Sequence, residues 1–158
     1  MAIYRPNRNI EASMIDFLDT ELKAQWSNIK VEKTFARIYG IALPSVCVRV
    51  GTTSYDKVEI GSETIKRNPQ VLIDIFCKGD GLKLDIIDYI ISKIKSGMPY
   101  YEYVVVNGAV QSKTENGRIR MLDMDVTHID FGVDKNNLDV HDRYRALITC
   151  SISLGKIE

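Results

Sequence analysis

The residues best suited to chemistry cluster in the last third of the chain, where Asp123, Asp125, His128 and Asp130 are followed by Asp134, Asp139, His141 and Asp142. Carboxylates and imidazoles of this kind hold a metal ion, or act as general acid and base, when they converge on one point. On an extended strand side chains alternate, so Asp123 and Asp125 share a face while His128 points to the other. The spacing predicts a solvated strand face running into a polar loop, and no metal centre. The segment Asp134-Lys-Asn-Asn-Leu-Asp139 lacks the central glycine and closing glutamate of a calcium loop. Gly79-Asp80-Gly81 opens a helix but has neither the P-loop lysine nor the three-glycine dinucleotide pattern, and Asp80 would repel an anion there. Neither histidine stands beside a serine or cysteine in a nucleophile motif.

Cys47, Cys77 and Cys150 are far apart and embedded in β-like apolar runs, which predicts buried hydrophobes in a reducing compartment rather than ligands or reactive thiols. Tyr100, Tyr101 and Tyr103 could stack on bases; without a basic groove they suit a strand edge or a protein interface better. Twenty-one basic residues balance twenty-one acidic ones. That balance removes the long-range positive field on which most nucleic-acid binders rely, and it weakens the self-repulsion that keeps copies apart. No cofactor is expected. The opening MAIYRPNRNIEAS lacks the apolar stretch of a signal peptide, and no run reaches the roughly 18 apolar residues of a membrane span.

The elements that position these residues follow from periodicity. Ile10, Met14, Ile15, Phe17, Leu18 and Leu22 recur at helical spacing over residues 9–26, with Asn9 or Asn7 as cap. Residues 31–39 read as a weak strand and residues 45–50 as a firm one, bounded by Pro44 and Gly51. The polar stretch 51–69 predicts an extended hairpin or arm. Residues 71–78, apolar on both faces, form a central strand. Asp80 caps a second helix whose buried stripe is Leu84, Ile87, Ile90, Ile91 and Ile94, stopped by Gly97 and Pro99. Asn107-Gly108 turns a tight hairpin between residues 101–106 and 110–112. A further turn at residues 115–117 leads into a strand over 118–129. A loop over 131–142 precedes an alternating last strand, with Tyr144, Ala146, Ile148, Cys150, Ile152 and Leu154 on one face. The expected fold is one α+β domain over residues 1–158: a mixed, mostly antiparallel sheet packed by two amphipathic helices, with a protruding β-hairpin arm.

This succession resembles the tail terminator, or tail completion, proteins of long-tailed bacteriophages over about residues 10–155. The resemblance rests on the opening amphipathic helix, Leu43-Pro-Ser-Val-Cys-Val-Arg-Val-Gly51, the polar arm, and the strand 71–77 feeding helix 82–95. It continues through Tyr101-Glu-Tyr-Val, Leu122-Asp-Met-Asp-Val-Thr-His-Ile129, the polar loop and the strand 144–154. It implies a virion protein forming a six-membered ring at the head-proximal end of the tail tube, with no catalytic residue. Its partners would be itself, the major tail tube protein and a head-completion or neck protein. DNA would pass through the lumen without specific binding.

On that expectation the arm, with Tyr55, Lys57, Glu59, Lys66 and Arg67, contacts the neighbouring subunit or the tube. The loop, with Asp134, Lys135, Asp139 and His141, serves the other axial face. Three alternatives stay open. They are another head-tail neck or connector component, a small metal-dependent enzyme using Asp123, Asp125 and His141, and a ligand-binding domain with a large apolar pocket.

Overall fold

The first helix, α1 (Pro6–Gln25), begins on a proline, whose missing N–H costs nothing in the first turn and whose fixed φ suits the helix. Arg5 precedes it without a side-chain cap. The caps expected at Asn7 or Asn9 are therefore a turn too late, and both asparagines lie inside the helix. The structure is a computed structural model and describes residues 5–33, 39–129, 135–156 and 158.

After α1 come β1 (Lys30–Glu32), β2 (Ser45–Lys57), β3 (Ile65–Cys77), α2 (Asp80–Ile94), β4 (Met98–Val106), β5 (Ala109–Ile129), α3 (Val140–Arg143) and β6 (Tyr144–Ser153). The fold is α+β, and the described residues form three α-helices and one curled, mixed sheet in the order β1-β2-β3-β6-β5-β4. Among the described residues only the β1–β2 pairing is parallel. The weak strand expected over 31–39 shrinks to β1; residues 34–38 lie outside the described residues, as do Asp130 and Asp134. β2 runs well past the expected Val50, through a bulge between Val50 and Thr53.

One apolar core joins both long helices to the sheet. Ile10, Met14, Leu18 and Leu22 of α1, four residues apart, meet Val46, Val48, Ile73, Ile75, Ile148 and Cys150 of the strands, all 0% exposed. Burying side chains of this size stabilises the fold by about 1.5–3 kcal/mol each. The alternation expected in β6 holds, with Ala146, Ile148, Cys150 and Ile152 buried. α2 differs from its expected stripe. Leu84 is 43% exposed and Ile86 takes its place in the core. Gly79, not Asp80, occupies the cap position, and Asp80 instead pairs with Lys83 at 2.9 Å within the first turn.

Two glycines are required by their surroundings. Gly97 (φ +79°) ends the α2 region where a Cβ would lie 2.5 Å from the carbonyl oxygen of Ile119. Gly117 (φ +103°) sits in a bulge, where Glu115 and Arg118 of β5 face Tyr101 and Pro99 of β4. The turn expected at residues 115–117 is thus a correction: the chain bends there without reversing, and β5 is one strand of 21 residues.

Candidate interaction surface

α1 ties together the two ends of the strand order. Its Ser13 hydroxyl accepts the Tyr101 N–H at 2.9 Å and donates to the Tyr101 carbonyl at 3.3 Å, while the Asn9 amide oxygen accepts the Tyr103 N–H at 3.4 Å. These are the outward backbone groups of β4, the edge strand, and the helix satisfies them as a neighbouring strand would. At the opposite end the Glu11 carboxylate accepts the Val50 N–H at 3.2 Å, at the bulge of β2. The Tyr103 hydroxyl donates to Asp16 at 2.6 Å, and burial together with that carboxylate pushes its ionisation up. The tyrosine group therefore serves the strand edge: Tyr100 is in the core and Tyr101 and Tyr103 fasten β4 to α1.

Beyond the core, β2 and β3 continue as a paired ribbon from Thr53↔Pro69 to Lys57↔Ile65. Tyr55, Lys57, Glu59 and Lys66 are exposed on it, and Ile60 at its tip is fully exposed (106%). Arg67 behaves differently. Its guanidinium grips Glu158 through Nε–Oε1 and Nη2–Oε2, both 2.9 Å, and donates to Asn7 at 2.9 Å and to the Tyr55 hydroxyl at 3.3 Å. Glu158 also exchanges backbone hydrogen bonds with Ile65 at 2.7 and 2.9 Å. Of the five arm residues expected to meet a partner, Tyr55 and Arg67 are brought together, and Arg67 is turned to the chain's own α1 and Glu158.

A second ribbon is formed by β4 and the first part of β5, turned by Asn107 (φ 51°) and Gly108 (φ 81°) as the Asn-Gly pair requires. β6 joins β5 only from Arg120 onward, so among the described residues β4 is the one strand paired with residues 109–117, while Lys156 donates to the Asn116 carbonyl at 2.6 Å. Val104, Val106 and Val110 are about half exposed on this ribbon (51, 48 and 60%). Val105 pairs with Val110 and Val106 with Ala109, which leaves apolar side chains on both faces of the tip. A cleft of about 500 Å³ lies between this ribbon, α1 and β1, with Ala12, Ile15, Val105 and Val110 among its apolar lining and Arg8 and Lys33 among its charges.

The loop residues take unequal places. Asp134 and the side chain of Lys135 lie outside the described residues; Lys135 opens a short 3-10 turn (Lys135–Asn137). The Asp139 carboxylate accepts the His141 N–H at 3.0 Å and lies 3.0 Å from the ring Nδ1, and these bonds hold its ionisation below the usual carboxylate range. The other ring nitrogen is 3.1 Å from the Ile41 carbonyl, so His141 is only 9% exposed and joins two loops. Asp139 itself remains exposed.

Sequence reasoning missed the polar network beside this loop. Asp74, 0% exposed, lies 3.2 Å from Arg49 Nε and 3.2 Å from Arg145 Nη2, and Arg145 stacks over Phe76 at 5.1 Å. With Leu43, Cys47 and Phe76 this network occupies the face of the sheet opposite the main core. The signal was present as a lone acidic residue in the apolar run of β3.

Asp123 and Asp125 are exposed on β5, and Asp123 accepts the N–H of its own neighbour Met124. His141 is engaged elsewhere. Among the described residues no group of three His, Cys, Asp or Glu side chains could hold a metal ion, and no helix is long and apolar enough to cross a membrane. All three cysteines are buried and unbridged, as expected; burial pushes Cys47 up to about 11, and Cys77 and Cys150 up to about 12. No family model matches this chain, and no curated protein matches it in sequence.

Proposed function

We propose that this chain is a virion structural protein of the tail terminator class. Six copies close a ring at the head-proximal end of the tail tube of a long-tailed phage. The ring ends polymerisation of the tube protein and offers a docking surface to a head-completion or neck protein. The observation that supports this most is the pair of exposed ribbons, β2–β3 and β4–β5, which run past the core with more strand than one copy can cover. Elements of that kind are interaction surfaces.

In this reading the β2–β3 ribbon is the protruding arm. Lys57, Glu59 and Lys66 face the neighbouring subunit or the tube, with Tyr55 beside them, while Arg67 stiffens the base by holding Glu158 and Asn7. The 135–143 loop, fixed by His141, presents Asp139 toward the other axial partner. A formal net charge of zero suits a lumen through which DNA slides without being gripped. No step of this role requires catalysis, a metal or a cofactor.

The test is polymerisation of the phage's own tube protein, followed by electron microscopy, with this chain added to tubes that have stopped growing. A terminator blocks regrowth when fresh tube protein is supplied. Regrowth at the rate of untreated tubes overturns the reading, and tubes that stay capped only when a neck protein is also present favour a connector component instead. The cleft along α1 supports a second reading, a ligand-binding domain, because its volume falls within the range of small-molecule sites. Mass spectrometry of the natively purified protein, before and after unfolding, decides that reading by whether a small molecule is released.

A further inference from the structure

The turn that joins β2 to β3 presents apolar side chains that its own chain does not cover. Val58 is 47% exposed and Ile60 106%. The turn is nevertheless held by its own hydrogen bonds. The Ser62 N–H donates to the Glu59 carbonyl at 3.2 Å, the Val58 N–H to the Thr64 carbonyl at 3.1 Å, and the Thr64 N–H to the Ser62 hydroxyl at 3.1 Å. These bonds fix the backbone that presents Ile60, so little further order has to be imposed when a partner covers it.

The same turn carries unspent negative charge. Residues 58–63 hold no basic residue, and Glu59 and Glu63 are exposed without an ion-pair partner among the described residues. The cleft beside α1 has the opposite balance. Its lining includes the apolar Ala12, Ile15 and Val31, and its volume of about 500 Å³ is that of a site enclosing a small molecule. Two of its acids are already engaged: Glu11 accepts the Val50 N–H, and Asp16 holds the Tyr103 hydroxyl and Lys113. Arg5, Arg8 and Lys33 have no side-chain partner among the described residues, and Glu32 is the one acid of the cleft left in the same position.

An apolar projection flanked by carboxylates and an apolar recess flanked by cations are complementary in shape and charge. Ile60, wholly exposed, does not enter the cleft of its own copy. Two different surfaces on one chain meet head to tail, and such contacts repeat around a ring.

We propose that the β2–β3 turn of one copy seats in the α1 cleft of the next, Ile60 against Ala12 and Ile15, with Glu59 and Glu63 facing Arg5, Arg8 and Lys33. The proposal deepens the ring reading and rests on it for the number of copies; the contact itself stands on the turn and the cleft.

The experiment mixes full-length Ile60→Cys with full-length Ala12→Cys under mild oxidation and follows disulfide formation by mass spectrometry. Leu84→Cys replaces Ala12→Cys in the control, since Leu84 is 43% exposed on α2 and lies outside the cleft lining. The native cysteines are buried, so the introduced thiols are the ones that react, and they start on separate molecules. Circular dichroism establishes that each variant is folded; Arg8→Cys, exposed at the cleft, serves if Ala12→Cys is not. The expected result is a 60–12 disulfide that forms at least about tenfold faster than the 60–84 disulfide, and that slows by about tenfold when Arg8→Glu is added to the Ala12→Cys chain. Equal rates for the two pairs overturn the contact, whether light scattering finds a ring or a monomer. A small molecule released from the cleft on unfolding, with no preference for the 60–12 pair, overturns it in favour of a ligand site. A preferred 60–12 pair in an assembly of two copies upholds the contact and overturns the ring, so the two readings fail separately.

Discussion

Replacing Arg67 with alanine separates a residue that holds the β2–β3 ribbon to its own chain from one that meets a partner. The guanidinium makes two parallel 2.9 Å bonds to Glu158 and a third to Asn7. The ion pair is largely sheltered, its side chains 13% and 15% exposed. Breaking a fully buried pair costs about 3–5 kcal/mol, because one charge is stranded. Here Glu158 keeps some access to water and can turn outward, which brings the expected loss to about 2 kcal/mol. For a chain of 158 residues that loss lowers Tm by about 4–8 °C. Denaturant unfolding of Arg67→Ala, Glu158→Gln and the double variant reads the coupling directly, expected at about 1–2 kcal/mol. If Arg67→Ala loses less than about 0.5 kcal/mol, the clamp contributes nothing of note, and Arg67 is free to serve as the partner contact its place in the sequence first suggested.

Ser13→Ala strands the outward Tyr101 groups of β4, which should cost about 1–3 kcal/mol and speed hydrogen exchange at Tyr101 and Tyr103 ahead of the core strands. Gly97→Ala meets both a positive φ and the Ile119 carbonyl, so it should lower stability by more than about 3 kcal/mol in a thermal melt. A thiol reagent should label none of the three cysteines in the folded protein and all three after unfolding. Their thiols hold protons more tightly when folded than the usual value near 8.5. The stability this confers is therefore complete below that pH and declines as pH rises through about 11 to 12, which a denaturation series at alkaline pH would record.

Periodicity made much of this fold readable. The stripes of α1 and β6, the Asn107-Gly108 turn and the burial of the cysteines all follow from local rules that the chain obeys. What periodicity could not show depends on tertiary neighbours. Asn9 and Ser13 look like cap or surface residues, yet they are buried because an edge strand needs their hydrogen bonds. Gly117 follows Asn116 as in a reversing turn, but the continuing β4 partner draws it into a bulge. Asp74 reads as an interruption in a strand, and only pairing of β3 with β2 and β6 brings Arg49 and Arg145 to it. The exposure of the residues assigned to an interaction surface was legible, since Lys57 and Lys66 lie exposed on the β2–β3 ribbon and Glu59 in the turn beyond it. Arg67 and His141 were legible as polar residues in the right segments, but not as groups turned inward by Glu158 and by the Ile41 carbonyl.

The most direct test of the terminator reading is where the protein binds on a purified tail tube, seen by averaging electron micrographs of tube ends after incubation with it. The account predicts added density at one end only, six-fold symmetric, with a central hole wide enough for duplex DNA. Binding along the length of the tube, or none at either end, would contradict it.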